Sequence, residues 1–254
     1  MLNKFPIIQN HFILITKEWK AQDHLLDPDD LAATYACLNA WSSSSSLSHE
    51  NEEEKGKDKG KGKSRLFAFY NSGPESGASQ PHRHVQFLPV EAMMKNDGSW
   101  EPLIDYANNN NTASFENMRN LPFAHFARSI PPNPSAETLH SIYLSLYKAA
   151  VTAAAGGDKI DTIIKNTASI ISYNLSMTVS TMLLCPRRSE KAVIASSPSS
   201  SDIASSISIN GTILAGTLLV KTEREWDLLR RRPQLLSDVL GAIGYPTNSW
   251  SSAL

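Results

Sequence analysis

Residues 71–90 read NSGPESGASQPHRHVQFLPV, and the rest of the chain is arranged around them. They follow a β-rich run, RLFAFY, at residues 65–70. The first half of the stretch (Asn71, Ser72, Gly73, Pro74, Ser76, Gly77, Ser79) is small and polar, so its backbone can bend sharply and bring N–H groups close to an anion. That half reads as a phosphate-cradling loop. In the second half His82, His84, Gln86 and Leu88 alternate with Arg83, Val85, Phe87 and Pro89. In a strand this alternation places both imidazoles and the amide on one face, with about 7 Å between successive Cα atoms.

A His-x-His pair on a strand is also a common half-site for zinc, and scattered histidines often do no more than complete the hydrogen bonding of a core. A catalytic zinc site needs a third His, Cys or carboxylate nearby. The loop offers only Glu75, and Cys37 and Cys185 are isolated in the sequence, so no metal is assigned. Phosphate chemistry suits the residues better. Neutral imidazole is a good nucleophile toward phosphorus near pH 7, and a flanking Gln donates to a phosphoryl oxygen without acting as a base.

At these residues the sequence resembles the active-site segment of the fungal diadenosine tetraphosphate phosphorylases (ATP adenylyltransferases), members of the histidine-triad superfamily. The His82-x-His84-x-Gln86 pattern is similar to that of the transferase branch, shared with galactose-1-phosphate uridylyltransferase, whereas hydrolases carry a third His in place of Gln86. The resemblance extends to LNKFPIIQNHFILIT at residues 2–16, LDPDDL at 26–31, SYN at 172–174, PR at 186–187 and INGTILAGTLLVK at 209–221.

What the resemblance implies is an α+β fold, an antiparallel sheet with helices packed mainly on one face. The second half would be a degenerate echo of the first without its histidines. It implies a nucleotidyltransferase that cleaves diadenosine tetraphosphate with inorganic phosphate to ATP and ADP. His84 would attack the α-phosphorus and carry an adenylyl group, and His82 would orient and polarise. Gln86 and the N–H groups of Gly77, Ala78, Ser79 and Gln80 would hold the charge growing on the phosphoryl oxygens. Asn71 would fix nucleotide or phosphate. Asn3 and Lys4, with Asn210, Gly211, Thr212 and Lys221, match segments where the family holds its substrate. Thr217 stands where the family tends to carry a bulky apolar side chain, which would alter packing near the base or ribose. No tightly bound cofactor is implied; a divalent cation such as Mg2+ would accompany the substrate. Two other readings stay open: a dinucleoside polyphosphate hydrolase, and a nucleotide-binding remnant without catalysis.

The 254 residues, 41% of them hydrophobic, are enough for one sizeable core or two intimately joined halves, and a single histidine-triad-like domain is expected over residues 1–254. A net charge of −1 gives no bulk attraction to nucleic acid or to an anionic membrane. Two cysteines argue against a disulfide framework and fit a reducing compartment, so the expected place is the cytoplasm, with the nucleus also open. The apolar run near the start is broken by Gln9, Asn10 and His11, too short for a signal peptide or membrane span. The family carries a further N-terminal segment that helps enclose the nucleotide and contributes a lysine; the expectation is that this chain lacks it.

Along the chain, residues 5–16 read as a strand, with His11 packing its ring there or touching the histidine motif from behind. Asp27 and Pro28 open a helix through Leu31, Tyr35 and Leu38 to Trp41. Residues 42–64 collapse to Ser, then Glu, Lys and Gly without apolar periodicity, and are expected to form a disordered insertion. A short helix is expected near residues 91–94, a flexible loop at 108–111 and a strand over 123–128 containing His125. A long amphipathic helix opens at residues 134–137 and ends at Gly156 and Gly157. Short strands follow near 170–174, 182–185 and 207–209, with a flexible loop at 196–206. Thr222 and Glu225 form a capping-box pattern that opens a terminal helix pair split at Pro233, with Trp226 and Leu229 packed inward.

Overall fold

The computed structural model describes residues 1–4, 6, 8–47, 64–94, 100–107, 118, 120–156, 168–194 and 205–247. Its centre is a strand that is buried along its whole length, β2 (Leu66–Ser72), whose alternating residues face two different cores. Leu66, Ala68 and Tyr70 join one core; Phe67 and Phe69 join the other. Around it stand β1 (Phe12–Ile15), β3 (His84–Pro89), β4 (Phe126–Ser129), β5 (Ser172–Met177) and β6 (Thr181–Arg187), in the order β1-β3-β2-β5-β6-β4, every neighbouring pair antiparallel.

That order is symmetric about the β2–β5 seam. Reading outward from it, β2, β3, β1 on one side answer β5, β6, β4 on the other, and each half has the chain order strand, long helix, strand, strand. The helices are α1 (Pro28–Leu47) and α4 (Ala136–Ala154), which follows two short helices, α2 (Val90–Met93) and α3 (Leu103–Tyr106). Leu31 and Leu38 of α1, with Leu139, Tyr143, Leu146 and Tyr147 of α4, cover the face that carries Ala68, Tyr70, Phe87 and Tyr173. The opposite face takes a hairpin of β7 (Lys191–Ile194) and β8 (Ser205–Ser208), a 3-10 turn (Gly211–Ala215), and the terminal pair α5 (Glu223–Arg231) and α6 (Gln234–Ile243). The echo is degenerate where function would sit. Between β2 and β3 lie residues 73–83, whereas β5 and β6 are joined by residues 178–180 alone.

Several expected boundaries move. The strand expected over residues 5–16 is only β1; residues 8–10 turn, with Asn10 in the left-handed region (φ 61°), and Met1 and Asn3 fold back to bond Ile13 and His11. Gln9 and Asn10, adjacent polar residues, favour a turn over a continuous edge. The helix expected to stop at Trp41 runs to Leu47, so the insertion does not begin at Ser42; the hydroxyls of Ser42 and Ser43 turn back to the carbonyls of Leu38 and Asn39 four residues earlier in the same helix. Ser64, assigned to the insertion, is among the described residues just ahead of β2; residues 48–63 lie outside the described residues, as do 108–111. The strand expected from residue 123 starts at Phe126, and His125 bonds Phe123 O beside it. Ser205 and Ser206, assigned to the 196–206 loop, pair within β8; the rest of that loop is outside the described residues. The β7 strand was not foreseen. Trp226 is 48% exposed, and Leu228 and Leu229 make the inward contact of α5 instead.

Candidate active site

β3 carries His84 and Gln86 on the face away from α1 and α4, opposite Ile15 and Ile13 of β1. The residue between the histidines faces the other way. Arg83, 3% exposed, reaches Asp30 at 2.6 Å and Asp27 at 3.0 Å at the start of α1, and Lys20 meets Asp27 at 2.7 Å. Asp27 is drawn two ways: burial raises its pKa, but Lys20 and Arg83 outweigh it and hold it below the ordinary value. This cluster pins the start of β3 to α1, so the histidine strand has a fixed depth.

His84 is buried, and its Nδ1 lies 2.8 Å from the carbonyl oxygen of His82. A carbonyl only accepts, so Nδ1 carries the proton and the Nε2 lone pair is left for another partner. The main chain of His84 is held from behind by Gln22, whose Oε1 accepts from His84 N at 2.7 Å and whose Nε2 donates to Asn71 O at 2.8 Å and His84 O at 3.2 Å. Tyr70 in turn donates from its hydroxyl to Gln22 O. The sequence reading missed Gln22; a buried Gln in a short stretch between β1 and α1 carries no motif. His82 precedes β3, bridged to Ala21, with its ring Nε2 3.0 Å from Thr16 Oγ1 and 3.3 Å from Glu18 O. The exposed Trp19 stacks against that ring, centroids 6.5 Å apart.

The loop after β2 is tied down at its start and open at its end. Asn71 and Ser72, read as loop, belong to β2. Pro74–Ser76 is a 3-10 turn; Glu75 N bonds Ser172 Oγ, and the Glu75 carboxylate accepts from Glu190 N at 3.0 Å. Gly77 closes the turn at φ 76°, where a Cβ would come within 2.8 Å of Ile209 O and 2.9 Å of Asn210 Cβ. Only glycine fits both demands. Among the described residues, none accepts a hydrogen bond from the N–H groups of Ala78, Ser79 or Gln80, so these donors are available to an anion.

Beneath the loop runs a buried polar chain. Asn71 Oδ1 accepts from Asn174 Nδ2 and from Gly211 N, both at 2.9 Å; Asn174 Nδ2 also donates to Ser76 O at 2.8 Å, and Asn174 Oδ1 accepts from Arg187. Arg187, 1% exposed, further donates to Ile209 O and Ser189 O, and burial lowers its pKa. So Asn71, Gly77, Asn210, Gly211, His84 and Gln86 meet in one region. The Asn71 oxygen is held by the scaffold. Asn210 caps the following 3-10 turn by accepting from Thr212, and Thr217 closes it by donating to Thr212 O. Lys221 is exposed at the start of α5, where its N–H bonds Glu225; Lys4 is exposed in the folded-back N-terminal stretch. Asn3 turns toward His11, Nδ2 to Nδ1 3.0 Å. Among the described residues no three His, Cys, Asp or Glu side chains converge as a metal site, and no helix is long and apolar enough to cross a membrane.

The family model described as the Ap4A phosphorylase N-terminal domain matches residues 1–49 and 62–105, and that described as the ATP adenylyltransferase C-terminal domain matches residues 119–246. These are the two halves on either side of the β2–β5 seam. Protein APA1 of Saccharomyces cerevisiae is 30% identical over 254 residues, covering 98% of this chain and 69% of that protein. Diadenosine 5',5'''-P1,P4-tetraphosphate phosphorylase 2 of the same yeast is 28% identical over 98% of this chain and 70% of its own length. The crystal structure of yeast Ap4A phosphorylase Apa2 superposes with a TM-score of 0.69 at 26% identity, over 97% of this chain and 73% of that one. Its complex with AMP gives 0.68 at 26% identity, over 98% and 74%. From two matched halves and a shared sheet, with the histidine strand in the first half, the chain belongs to the Ap4A phosphorylase (ATP adenylyltransferase) family.

Proposed function

We infer that this protein is a nucleotidyltransferase that splits diadenosine tetraphosphate with inorganic phosphate to ATP and ADP. The observation that carries the reading is the His84 ring, whose Nδ1 is bonded to the main chain of His82 and whose Nε2 bonds none of the described residues, on the face shared with Gln86 and the open end of the 73–83 loop. In the first step the Nε2 lone pair attacks an α-phosphorus, the bond from that phosphorus to the bridging oxygen breaks, and ATP leaves with the bonding electrons. In the second an oxygen of inorganic phosphate attacks the same phosphorus, ADP forms, and His84 regains its lone pair. Gln86 and the N–H groups of Ala78, Ser79 and Gln80 donate to the phosphoryl oxygens as charge builds there. Asn71, Asn210, Gly211, Thr212, Lys4 and Lys221 hold the nucleotide and the polyphosphate, which enters with a divalent cation such as Mg2+ as its counterion. The reaction takes place in the cytoplasm, where ATP and phosphate are plentiful.

Incubation with diadenosine tetraphosphate, with and without phosphate, tests this. The expected result is ATP plus ADP only when phosphate is present. Release of AMP at equal rate without phosphate would make the protein a hydrolase, and binding without turnover would make it a remnant; either overturns the reading. An amide at position 86 cannot deprotonate water near pH 7, which favours the transferase.

A further inference from the structure

His11 lies just ahead of β1, on the face that carries Ile13 opposite Gln86 and Ile15 opposite His84. Its Nδ1 is 3.0 Å from Asn3 Nδ2. An amide nitrogen only donates, so Nδ1 accepts, and in the neutral ring the proton sits on Nε2. Burial lowers the pKa of the ring, and the Gln86 side chain, which pulls the other way, does not offset it, so the ring is neutral near pH 7. The Nε2 atom is shut away from solvent and completes no hydrogen bond with a described residue, while Gln86 is the side chain that bears on it. A buried donor without an acceptor is unfavourable, and a carboxamide whose terminal torsion is soft stands beside it.

We propose that His11 is the positioning residue for Gln86: with substrate bound, His11 Nε2–H donates to Gln86 Oε1, which turns the amide NH2 of Gln86 toward the phosphoryl oxygen, and Asn3 selects the tautomer that makes this donation possible. A carboxamide turned the other way would present oxygen to oxygen at the point where negative charge grows, so the orientation governs the rate rather than the affinity. Asn3 then acts through His11 and not by touching the substrate. The inference rests on the role given to Gln86 above.

The test is a set of variants assayed for phosphate-dependent cleavage of diadenosine tetraphosphate, with thermal midpoints measured alongside. His11→Phe fills the same space without a donor and should lower kcat on the order of 10-fold to 100-fold at unchanged KM. His11→Gln restores a donor and should recover most of that loss. Asn3→Asp accepts from Nδ1, moves the proton off Nε2, and should lose kcat as His11→Phe does. Because the effect passes through Gln86, adding Gln86→Ala to His11→Phe should cost no more than Gln86→Ala alone. Fully additive losses, a change confined to KM, or a fall that follows the thermal midpoint would overturn the proposal. Nitrogen-15 shifts of the His11 ring, read on the protein alone, distinguish its failure from failure of the reaction assignment: the Nδ1–H tautomer overturns it even if the enzyme is active, and the Nε2–H tautomer lost in Asn3→Asp supports it even if turnover is absent.

Discussion

For an imidazole to attack phosphorus, one nitrogen must be held and the other left bare, and in His84 the holding is done by the main chain. The acceptor for Nδ1–H is the carbonyl of His82, not its ring, which is occupied by Thr16 and Glu18. His82→Ala therefore keeps the bond that orients His84. We expect His84→Ala to abolish any AMP-protein adduct and His82→Ala only to slow its formation, measured by mass spectrometry of protein quenched without acid after brief exposure to substrate lacking phosphate. An adduct that persists in His84→Ala, or maps to His82, would reverse the roles. Gln22 acts on the other side of the same residue. Its truncation in Gln22→Ala leaves His84 N without its 2.7 Å acceptor. The expected cost is about 1–3 kcal/mol in denaturant unfolding, together with a fall in kcat as the strand end loosens.

At the scale of elements, β3 depends on α1 through the Arg83, Asp27 and Asp30 cluster. Removing one partner of a buried pair leaves the others uncompensated, so Arg83→Met should lower stability by about 3–5 kcal/mol, whereas adding Asp30→Leu to it should return part of that loss. The same cluster sets an acid limb. Asp27 has its folded pKa held down by Lys20 and Arg83 against the effect of burial, and Glu225 by Ser205 Oγ and the N–H groups that open α5. A carboxyl with a depressed folded pKa binds fewer protons folded than unfolded, so its contribution is present above the unfolded value, about 4, and is lost as pH falls through the folded one. Thermal midpoints measured from pH 6 to pH 2 should therefore fall below about pH 4, and less steeply in Asp27→Asn than in the wild type. A parallel fall in both would remove Asp27 from the cause. These elements also separate what the sequence discloses from what it does not. Local chemistry was legible: the alternation of His84 and Gln86 against Arg83, the Pro28 start, and the Thr222 and Glu225 capping box all appear in place. Gln22 carried no signal at all, and Asn174 and Arg187, although they lie in segments of the resemblance, gained their roles only from tertiary pairing, since each bonds residues well apart in the chain. The serines of α1 misled because their low propensity as a run conceals side chains that bond their own helix.

Over the whole molecule the two halves meet along β2 and β5, and the candidate site, with its histidine strand in the first half, is completed across that seam by Asn210 and Gly211 of the second. Five residue pairs join the two strands, from Ala68 with Met177 to Ser72 with Tyr173, while Tyr143 of α4 reaches across to accept from Leu26 N of the first half. Asn174 is the polar centre of the seam, bonded to Asn71 and Ser76 on one side and to Arg187 on the other. If the halves fold as one unit, damage at this point must be felt equally by both. Asn174→Leu keeps the volume but takes one acceptor from the buried Arg187 guanidinium and one donor from the Asn71 oxygen, for an expected loss of about 1–3 kcal/mol. Native-state hydrogen exchange locates that loss. The slowest amides of β3 and of β6, which lie on opposite sides of the seam, should lose protection by the same amount, and the denaturant transition should stay single at a lower midpoint. Protection lost in β6 alone, with β3 unchanged, would mean that the halves open independently and that the seam joins two separately stable units.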